Sequence, residues 1–181
     1  ILLVYDEAYY HFGSKSEAHK VKKHKNLIVM RTFSKAWGLS GIRLGYMIAN
    51  NKICNYVSKC RSLVETNSFS FQVALWALNN KKILKDHVSQ VKQGSKYIKK
   101  KFTLAGDIFH GGNVTNAICL KLKDAKSTEH LRKYLSKKKI YIRNKFKGPI
   151  ENFVRISLCS PKKLGIFFKE YQNWKRLKLK S

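Results

Sequence analysis

The segment Arg31–Tyr46 reads RTFSKAWGLSGIRLGY, and it follows a short apolar run that is typical of a buried strand. Lys35 stands in this segment among apolar neighbours, which would desolvate an ammonium group and favour the neutral, nucleophilic amine. Arg43 follows after a turn that contains Gly38 and Gly41. A lysine nucleophile beside an anion-binding arginine is the pattern expected of a Schiff-base site.

The composition is that of a folded and strongly basic protein. Of the 181 residues, 44% are apolar and 12% are aromatic, so the chain can bury a core of ordinary size. The formal net charge of +28 would also suit a nucleic-acid binder, but the lysines are spread along the whole chain and no nucleic-acid-binding motif accompanies them. We therefore interpret the charge as a compositional bias on solvated faces, with weak, salt-sensitive binding to polyanions as its consequence.

The cysteines, histidines and hydropathy pattern set further expectations. The four cysteines have neither metal-ligand nor paired spacing, which predicts reduced thiols, no metal site and a cytoplasmic protein. The six histidines share no ligand spacing either, and we expect them on the surface or in loops. No apolar run reaches the roughly 20 residues that a membrane span needs, so no membrane partner is expected.

Two apolar runs in the first part of the chain predict a sheet that is covered by helices. Residues 1–5 and 27–30 are short and continuously apolar, which is typical of strands buried on both faces of a parallel or mixed sheet. Such a first strand needs neighbours on both edges, so we expect the chain to be the C-terminal portion of a longer protein. The patterns that follow predict another strand at residues 44–49 and helices at about residues 51–65, 69–80 and 83–104.

The last part of the chain predicts a compact α+β unit. Its pattern is strand, helix, strand, strand and helix, at residues 117–122, 128–137, 140–143, 153–158 and from about residue 161. We therefore expect the chain to divide into residues 1–82, a bridging helix and loop at residues 83–110, and a small domain at residues 111–181.

Polar side chains follow both buried runs at the point where each predicted strand ends. Asp6 and Tyr9 come after the first run, Ser34 and Lys35 come after the second, and Arg43 returns after the turn. Ligands of open α/β sheets bind at this edge. A carboxylate, a phenol, a hydroxyl, an amine and a guanidinium are the groups needed to hold pyridoxal phosphate.

Three motifs occur in a fixed order along the chain: DEAYYHF at residues 6–12, RTFSKAWGLSGIRLGY at residues 31–46 and NFVRISLCSPKK at residues 152–163. They resemble segments of the fold-type I pyridoxal-phosphate aminotransferases, and most of all the histidinol-phosphate aminotransferase group. The resemblance extends over nearly the whole chain and is weak at residues 68–78 and around Asn116. It implies a PLP-transferase-like α/β fold, with part of a mixed, mostly parallel sheet, flanking helices and a small C-terminal α+β domain.

The resemblance implies a role for each of the converging side chains. Lys35 would bind the cofactor covalently and then move a proton, as nucleophile and base in turn. Asp6 would pair with the ring nitrogen, and Tyr9 would donate to the phenolic oxygen of the ring.

Further residues are implied to bind anionic groups. Ser34 and Arg43 would hold the cofactor phosphate, with Thr32 assisting them. Arg155 would clamp the α-carboxylate of the substrate in bidentate geometry, and Arg143 is a candidate for a distal phosphate on the amino donor.

The resemblance also implies how much of the enzyme this chain represents. Residues 1–82 would be the C-terminal part of the large cofactor-binding domain, residues 83–110 the bridge and residues 111–181 the small domain. The resembling enzymes carry further cofactor-contacting segments upstream, which this chain lacks. We therefore expect an incomplete and inactive fragment of a homodimeric enzyme.

Three functions follow from these patterns as hypotheses. The leading one is an aminotransferase that passes an amino group from a histidinol-phosphate-like or aromatic amino donor to a 2-oxo acid such as 2-oxoglutarate. An alternative is a pyridoxal-phosphate-dependent decarboxylase of the threonine-phosphate type, which resembles the same motifs. A second alternative is a non-catalytic, basic nucleic-acid-binding protein without a cofactor.

Overall fold

The computed structural model describes residues 1–62 and 65–178. The chain divides into two units, residues 1–88 and residues 89–181. Among the described residues, none of the helices has both the length and the apolar character that crossing a bilayer requires.

A three-stranded sheet lies in the first unit. Its strands are β1 (Leu3–Asp6), β2 (Leu27–Thr32) and β3 (Gly45–Ile48), in that spatial order. β1 is parallel to β2, whereas β2 is antiparallel to β3, so the predicted mixed sheet is confirmed. The register places Asp6 opposite Met30, which brings the C-terminal ends of β1 and β2 to the same edge.

The predicted burial is right for residues 27–29 of β2 and wrong for Met30 and for β1. In β2, residues 27–29 are buried, although Met30 is 48% exposed. In β1, Leu3 and Val4 are 55% and 52% exposed. The reason is that β1 lies at the edge of the sheet that the described residues form, where β2 is its neighbour on one side. The described residues therefore leave much of the apolar surface of β1 exposed.

Two helices follow the sheet, α1 (Asn51–Lys59) and α2 (Ser68–Asn79). Asn50 and Asn67 cap their N-termini, and each side chain accepts a hydrogen bond from the backbone N–H three residues further on, at 3.1 Å and 2.8 Å. Such caps satisfy amide groups that have no partner inside the helix. α1 ends before the predicted boundary at residue 65, and residues 63–64 of that prediction lie outside the described residues.

The helix α3 (Lys81–Leu104) leads into the second unit, which contains a second three-stranded sheet and two more helices. These elements are β4 (Phe109–Gly111), β5 (Ala117–Lys121), α4 (Ala125–Lys137), β6 (Phe153–Ser157) and α5 (Pro161–Lys178). The sheet is antiparallel, in the order β4-β5-β6. The sequence pattern does not predict β4.

The predicted strand at residues 140–143 is wrong, since only a single bridge forms there. Arg143 and Arg155 exchange both backbone hydrogen bonds, at 3.2 Å and 2.7 Å, but the ladder does not continue. The next residue, Asn144, is buried and donates its side-chain amide to Glu129 of α4 at 2.9 Å. Before the bridge, the Ile140 N–H donates to the carbonyl of Leu135 in α4 at 3.0 Å, and after it Asn144 is bound to Glu129, so the pairing continues on neither side of Arg143.

Gly94 marks a close approach between α3 and the segment that follows β6. A Cβ atom at this position would lie 1.7 Å from the carbonyl oxygen of Cys159. A real Cβ never comes so near to a backbone oxygen, so any larger residue must separate the two segments.

We predict that Gly94→Ala lowers the free energy of unfolding by about 3 kcal/mol, because backbone has to move to admit the methyl group. Gly165→Ala on α5 is the matched control, since its Cβ would meet only the side chain of Tyr97, with the hydroxyl at 3.2 Å and Cζ at 3.9 Å. The control should change the free energy of unfolding by at most about 1 kcal/mol, because helix propensity favours alanine. Urea titration measures both values, and equal values for the two variants would contradict the packing described.

Candidate active site

The turn after β2 is held by apolar side chains on either side of Lys35. Phe33 and Trp37 are buried and pack against Ala74 and Ala77 of α2. Lys35 stands between these two aromatic residues in the sequence and is half-buried. The apolar anchors thus fix the turn against α2 and leave the side chain of Lys35 facing a cavity.

Local hydrogen bonds shape the same turn. The hydroxyl of Thr32 accepts a hydrogen bond from the Ser34 backbone N–H at 3.0 Å, and the carbonyl of Lys35 accepts one from the Gly38 N–H at 3.1 Å. Gly38 has a φ of +70°, a backbone conformation that residues with a Cβ rarely adopt. The serine, the lysine and the glycine of the motif are therefore parts of one tight turn.

His87 supports this turn from α3, a contact that the sequence analysis missed. Its Nδ1 lies 2.7 Å from the carbonyl oxygen of Ala36, and the ring is half-buried. An N–H at this nitrogen is the form that suits a carbonyl acceptor. Helical spacing could have indicated this position, because His87 lies three residues after the apolar Leu84 and residues so spaced share a helix face. In the structure, Leu84 packs against the apolar cluster that contains Phe33 and Trp37.

His11 also departs from the predicted surface position. It is half-buried, and the edge of its ring meets the ring of Trp37 with the centroids 6.0 Å apart. Burial, followed by the nearby charge of Arg31, lowers the pKa of His11 below its ordinary value. The prediction of surface or loop positions is therefore wrong for both His11 and His87.

A cavity of about 380 Å³ lies where β1 and β2 end. Its lining includes residues that the sequence predicts to bind the cofactor, namely Asp6, Thr32, Ser34, Lys35 and Arg43. Tyr9 lies close by, with its ring centroid 5.4 Å from Nζ of Lys35. The structure thus brings the first-unit candidates together around one concave surface.

The charged groups at the rim are oriented by backbone contacts. Oδ1 of Asp6 accepts a hydrogen bond from the Ala8 N–H at 2.9 Å. Arg43 donates from Nη1 to the carbonyl of Ser40 at 2.9 Å and has a left-handed φ of 52°. Both side chains are exposed, so each can reach a ligand without first losing a buried partner.

The two arginines predicted to bind substrate lie side by side in the second unit. Arg155 is half-buried on β6 and is paired with Cys119 on one side and with Arg143 on the other. Its neighbours in the strand, Val154 and Ile156, are buried, so Arg155 lies on the opposite, open face of the sheet. Arg143 is exposed.

The segment that carries Arg143 is tied to α4 by a charged network. Glu129 accepts hydrogen bonds from Arg132 and from the buried Asn144, at 2.9 Å in each case. Hydrogen bonds from Arg132 and then from Asn144 lower the pKa of Glu129 to about 2. The ionised carboxylate is therefore the form that holds Asn144, which directly follows Arg143.

Comparison with known proteins identifies the family. Residues 1–169 match the family described as aminotransferase class I and II, so the chain belongs to this family. It is 34% identical over 157 residues to the histidinol-phosphate aminotransferase of Pyrococcus furiosus, a match that covers 87% of this chain and 43% of that protein.

Solved structures of related enzymes share the fold. The histidinol-phosphate aminotransferase from Sinorhizobium meliloti, solved in complex with pyridoxal-5'-phosphate, is 25% identical with a TM-score of 0.81 and covers 93% of this chain and 47% of its own. The L-threonine-O-3-phosphate decarboxylase from Porphyromonas gingivalis is also 25% identical, with a TM-score of 0.79 and coverages of 96% and 55%. The chain therefore has the fold-type I fold, and it spans about half the length of the proteins it matches.

The Glu129 network predicts a pH-dependent contribution to stability. The pKa of Glu129 in the folded protein, about 2, lies below the ordinary value of 4.5, so its contribution is present above pH 4.5 and is lost as the pH falls toward 2. Glu129→Gln should therefore lower the melting temperature at pH 7 and have a smaller effect at pH 3. Glu151→Gln, at an exposed position, is the control. An effect of Glu129→Gln that does not depend on pH would contradict the network.

Proposed function

We propose that the whole protein is a pyridoxal-phosphate-dependent aminotransferase. It transfers an amino group from a histidinol-phosphate-like or aromatic amino donor to a 2-oxo acid such as 2-oxoglutarate. The observation that carries the proposal is the cavity at the ends of β1 and β2, where Asp6, Ser34, Lys35 and Arg43 meet. The histidinol-phosphate aminotransferases among the relatives support the choice of donor.

The donor set of the cavity fits pyridoxal phosphate. The amine of Lys35 suits its aldehyde, the carboxylate of Asp6 suits a protonated ring nitrogen, and the guanidinium of Arg43 suits a phosphate. A cavity of about 380 Å³ is also within the usual size of small-molecule sites. Bound there, pyridoxal phosphate would supply an electron sink for negative charge that develops at the α-carbon of the amino donor.

Lys35, Asp6 and Tyr9 perform the acid–base work in this proposal. Nζ of Lys35 takes up the proton that leaves the α-carbon of the donor and later returns a proton. Asp6 would hold a proton on the ring nitrogen. The hydroxyl of Tyr9 donates a hydrogen bond to the ring oxygen.

Ser34 and Arg43 bind the phosphate in this proposal. Thr32 acts through Ser34, because its hydroxyl accepts the Ser34 backbone N–H and so orients the turn. Arg43 is exposed at the rim of the cavity, where a forked pair of hydrogen bonds to phosphate oxygens is open to it.

The second unit contributes the substrate-binding arginines. Arg155 binds the α-carboxylate of the amino acid with both arms of its guanidinium, and Arg143 binds a distal phosphate when the donor carries one. Their position on the open face of the sheet supports these roles.

We also propose a domain division, an oligomeric state and a cellular location. Residues 1–82 belong to a large cofactor-binding domain, residues 83–110 bridge it to a small domain, and residues 111–181 belong to that small domain. We further propose that the whole protein is a cytoplasmic homodimer. The family to which the chain belongs supports both assignments.

A decarboxylase is the second candidate, and the likeness to the Porphyromonas gingivalis enzyme favours it. The two activities differ in their products. The test is to incubate the whole protein with pyridoxal phosphate, 2-oxoglutarate and, in separate reactions, histidinol phosphate, phenylalanine and threonine phosphate. Glutamate formation supports the aminotransferase, whereas carbon dioxide without glutamate supports the decarboxylase. Neither product from any donor would contradict both.

We predict that Arg155→Lys raises the KM for substrates that carry an α-carboxylate, such as 2-oxoglutarate, at least about 10-fold, because an ammonium cannot reproduce the bidentate contact with a carboxylate. The visible absorbance of the bound cofactor should be unchanged. Arg61→Lys, at an exposed surface ion pair with Glu65, is the control and should leave both quantities unchanged. Loss of cofactor binding together with substrate binding in Arg155→Lys would contradict the assigned role.

A further inference from the structure

A buried ion pair lies one residue beyond the end of the β1–β2 pairing. Glu7 is 3% exposed, and its Oε2 accepts a hydrogen bond from Nε of Arg31 at 3.0 Å. The register that pairs Asp6 with Met30 continues by one step, because the Glu7 backbone N–H donates to the Met30 carbonyl at 2.8 Å. Successive side chains of a strand point to opposite faces, so Glu7 lies on the face opposite Asp6, whereas Arg31 is also part of the lining of the cavity.

Neighbouring groups complete the hydrogen bonding of this pair. Oε2 of Glu7 also accepts from the hydroxyl of Ser16 at 3.0 Å, and Oε1 accepts from the Glu17 backbone N–H at 2.5 Å. Nη2 of Arg31 donates to the same serine oxygen at 2.7 Å, and the guanidinium lies 4.0 Å from the ring centroid of Tyr10. The contacts bind the ends of β1 and β2 to Ser16 and Glu17, in the segment between the two strands.

Three members of this cluster are direct chain neighbours of candidate cofactor ligands. Glu7 follows Asp6, Tyr10 follows Tyr9, and Arg31 precedes Thr32. A peptide bond is rigid and fixes the separation of successive Cα atoms, so a shift of Glu7, Tyr10 or Arg31 moves the adjoining ligand as well.

We propose that the Glu7–Arg31 pair is a positioning device for the cofactor site. Its carboxylate, Glu7, holds Asp6 and Tyr9 in place around Lys35 from outside the lining of the cavity, whereas Arg31 also lines the cavity. The inference rests on the proposed function. A buried ion pair adds little net stability over a well-packed apolar pair, whereas its directional hydrogen bonds restrict the geometry of the segments that it joins.

The test uses the whole protein and compares Glu7→Gln with the double variant Glu7→Gln/Arg31→Met. Glu7→Gln leaves the charge of Arg31 buried without its carboxylate, so it should lower the melting temperature of the cofactor-free protein and raise the dissociation constant of pyridoxal phosphate. We expect the latter to rise about 10-fold, as when supporting contacts are lost at metal sites. The double variant removes both charges and should recover the melting temperature but not the affinity.

A pH titration supplies a readout that a purely structural role would not change. The visible absorbance of the bound cofactor changes with pH, and its midpoint should rise in the double variant because Tyr9 no longer donates in the correct place. Recovery of affinity and midpoint together with the melting temperature would overturn the inference.

Two further variants control for misfolding and for nonspecific effects of substitution. Arg31→Lys keeps the charge but loses the fork and the contact with Tyr10, so it should fold and still show weaker cofactor binding and a shifted midpoint. Unchanged values in this variant would overturn the inference. Glu17→Gln is the matched control, because only the backbone N–H of Glu17 contacts Glu7, while its partly exposed side chain pairs with Lys20; the variant should change neither quantity.

The outcome for the unmodified protein separates the two proposals. If it binds no pyridoxal phosphate at all, the proposed function fails and this inference fails with it. If it binds the cofactor normally and the Glu7 and Arg31 variants do so equally well, only the positioning role is refuted.

Discussion

The parallel, in-register pairing of β1 with β2 is the constraint on which the candidate site depends. It places the C-terminal ends of both strands at one edge, with Asp6 beside Met30, so that the segments after each strand meet. A slip of one residue would turn Asp6 to the other face of the sheet and remove its carboxylate from the cavity. The Glu7–Arg31 pair, which follows directly, joins the strands in this register.

In both units, a charged candidate for ligand binding is held in place in the same way. In each, an exposed polar residue is followed by a buried polar residue that binds another element: Asp6 is followed by Glu7, and Arg143 by Asn144. The buried residue keeps its hydrogen bonds, because an unpaired polar group away from water is costly in free energy. The exposed residue therefore gains a defined place while remaining free to contact a ligand.

Sequence patterns predicted most of the local elements, but not the features that depend on distant residues, and the roles of the candidate site residues remain predictions. The apolar runs and the Ser34–Lys35 turn are encoded within a few positions, and the mixed sheet and the cavity around Lys35 agree with them. An apolar run indicates that a strand is suited to burial, but it does not show whether the described residues bury it. The exposure of β1 was therefore not predicted. The end of the Arg143 pairing was missed because it depends on Glu129, 15 residues away in the chain.

The central claim is that Lys35 is the residue that binds the cofactor. It is tested most directly by incubating the whole protein with pyridoxal phosphate, reducing with borohydride and mapping the labelled peptide. The account predicts loss of the visible absorbance on reduction, with the reduced cofactor attached to Lys35 and to none of the many surface lysines. Labelling of a different lysine, or of none, would contradict it.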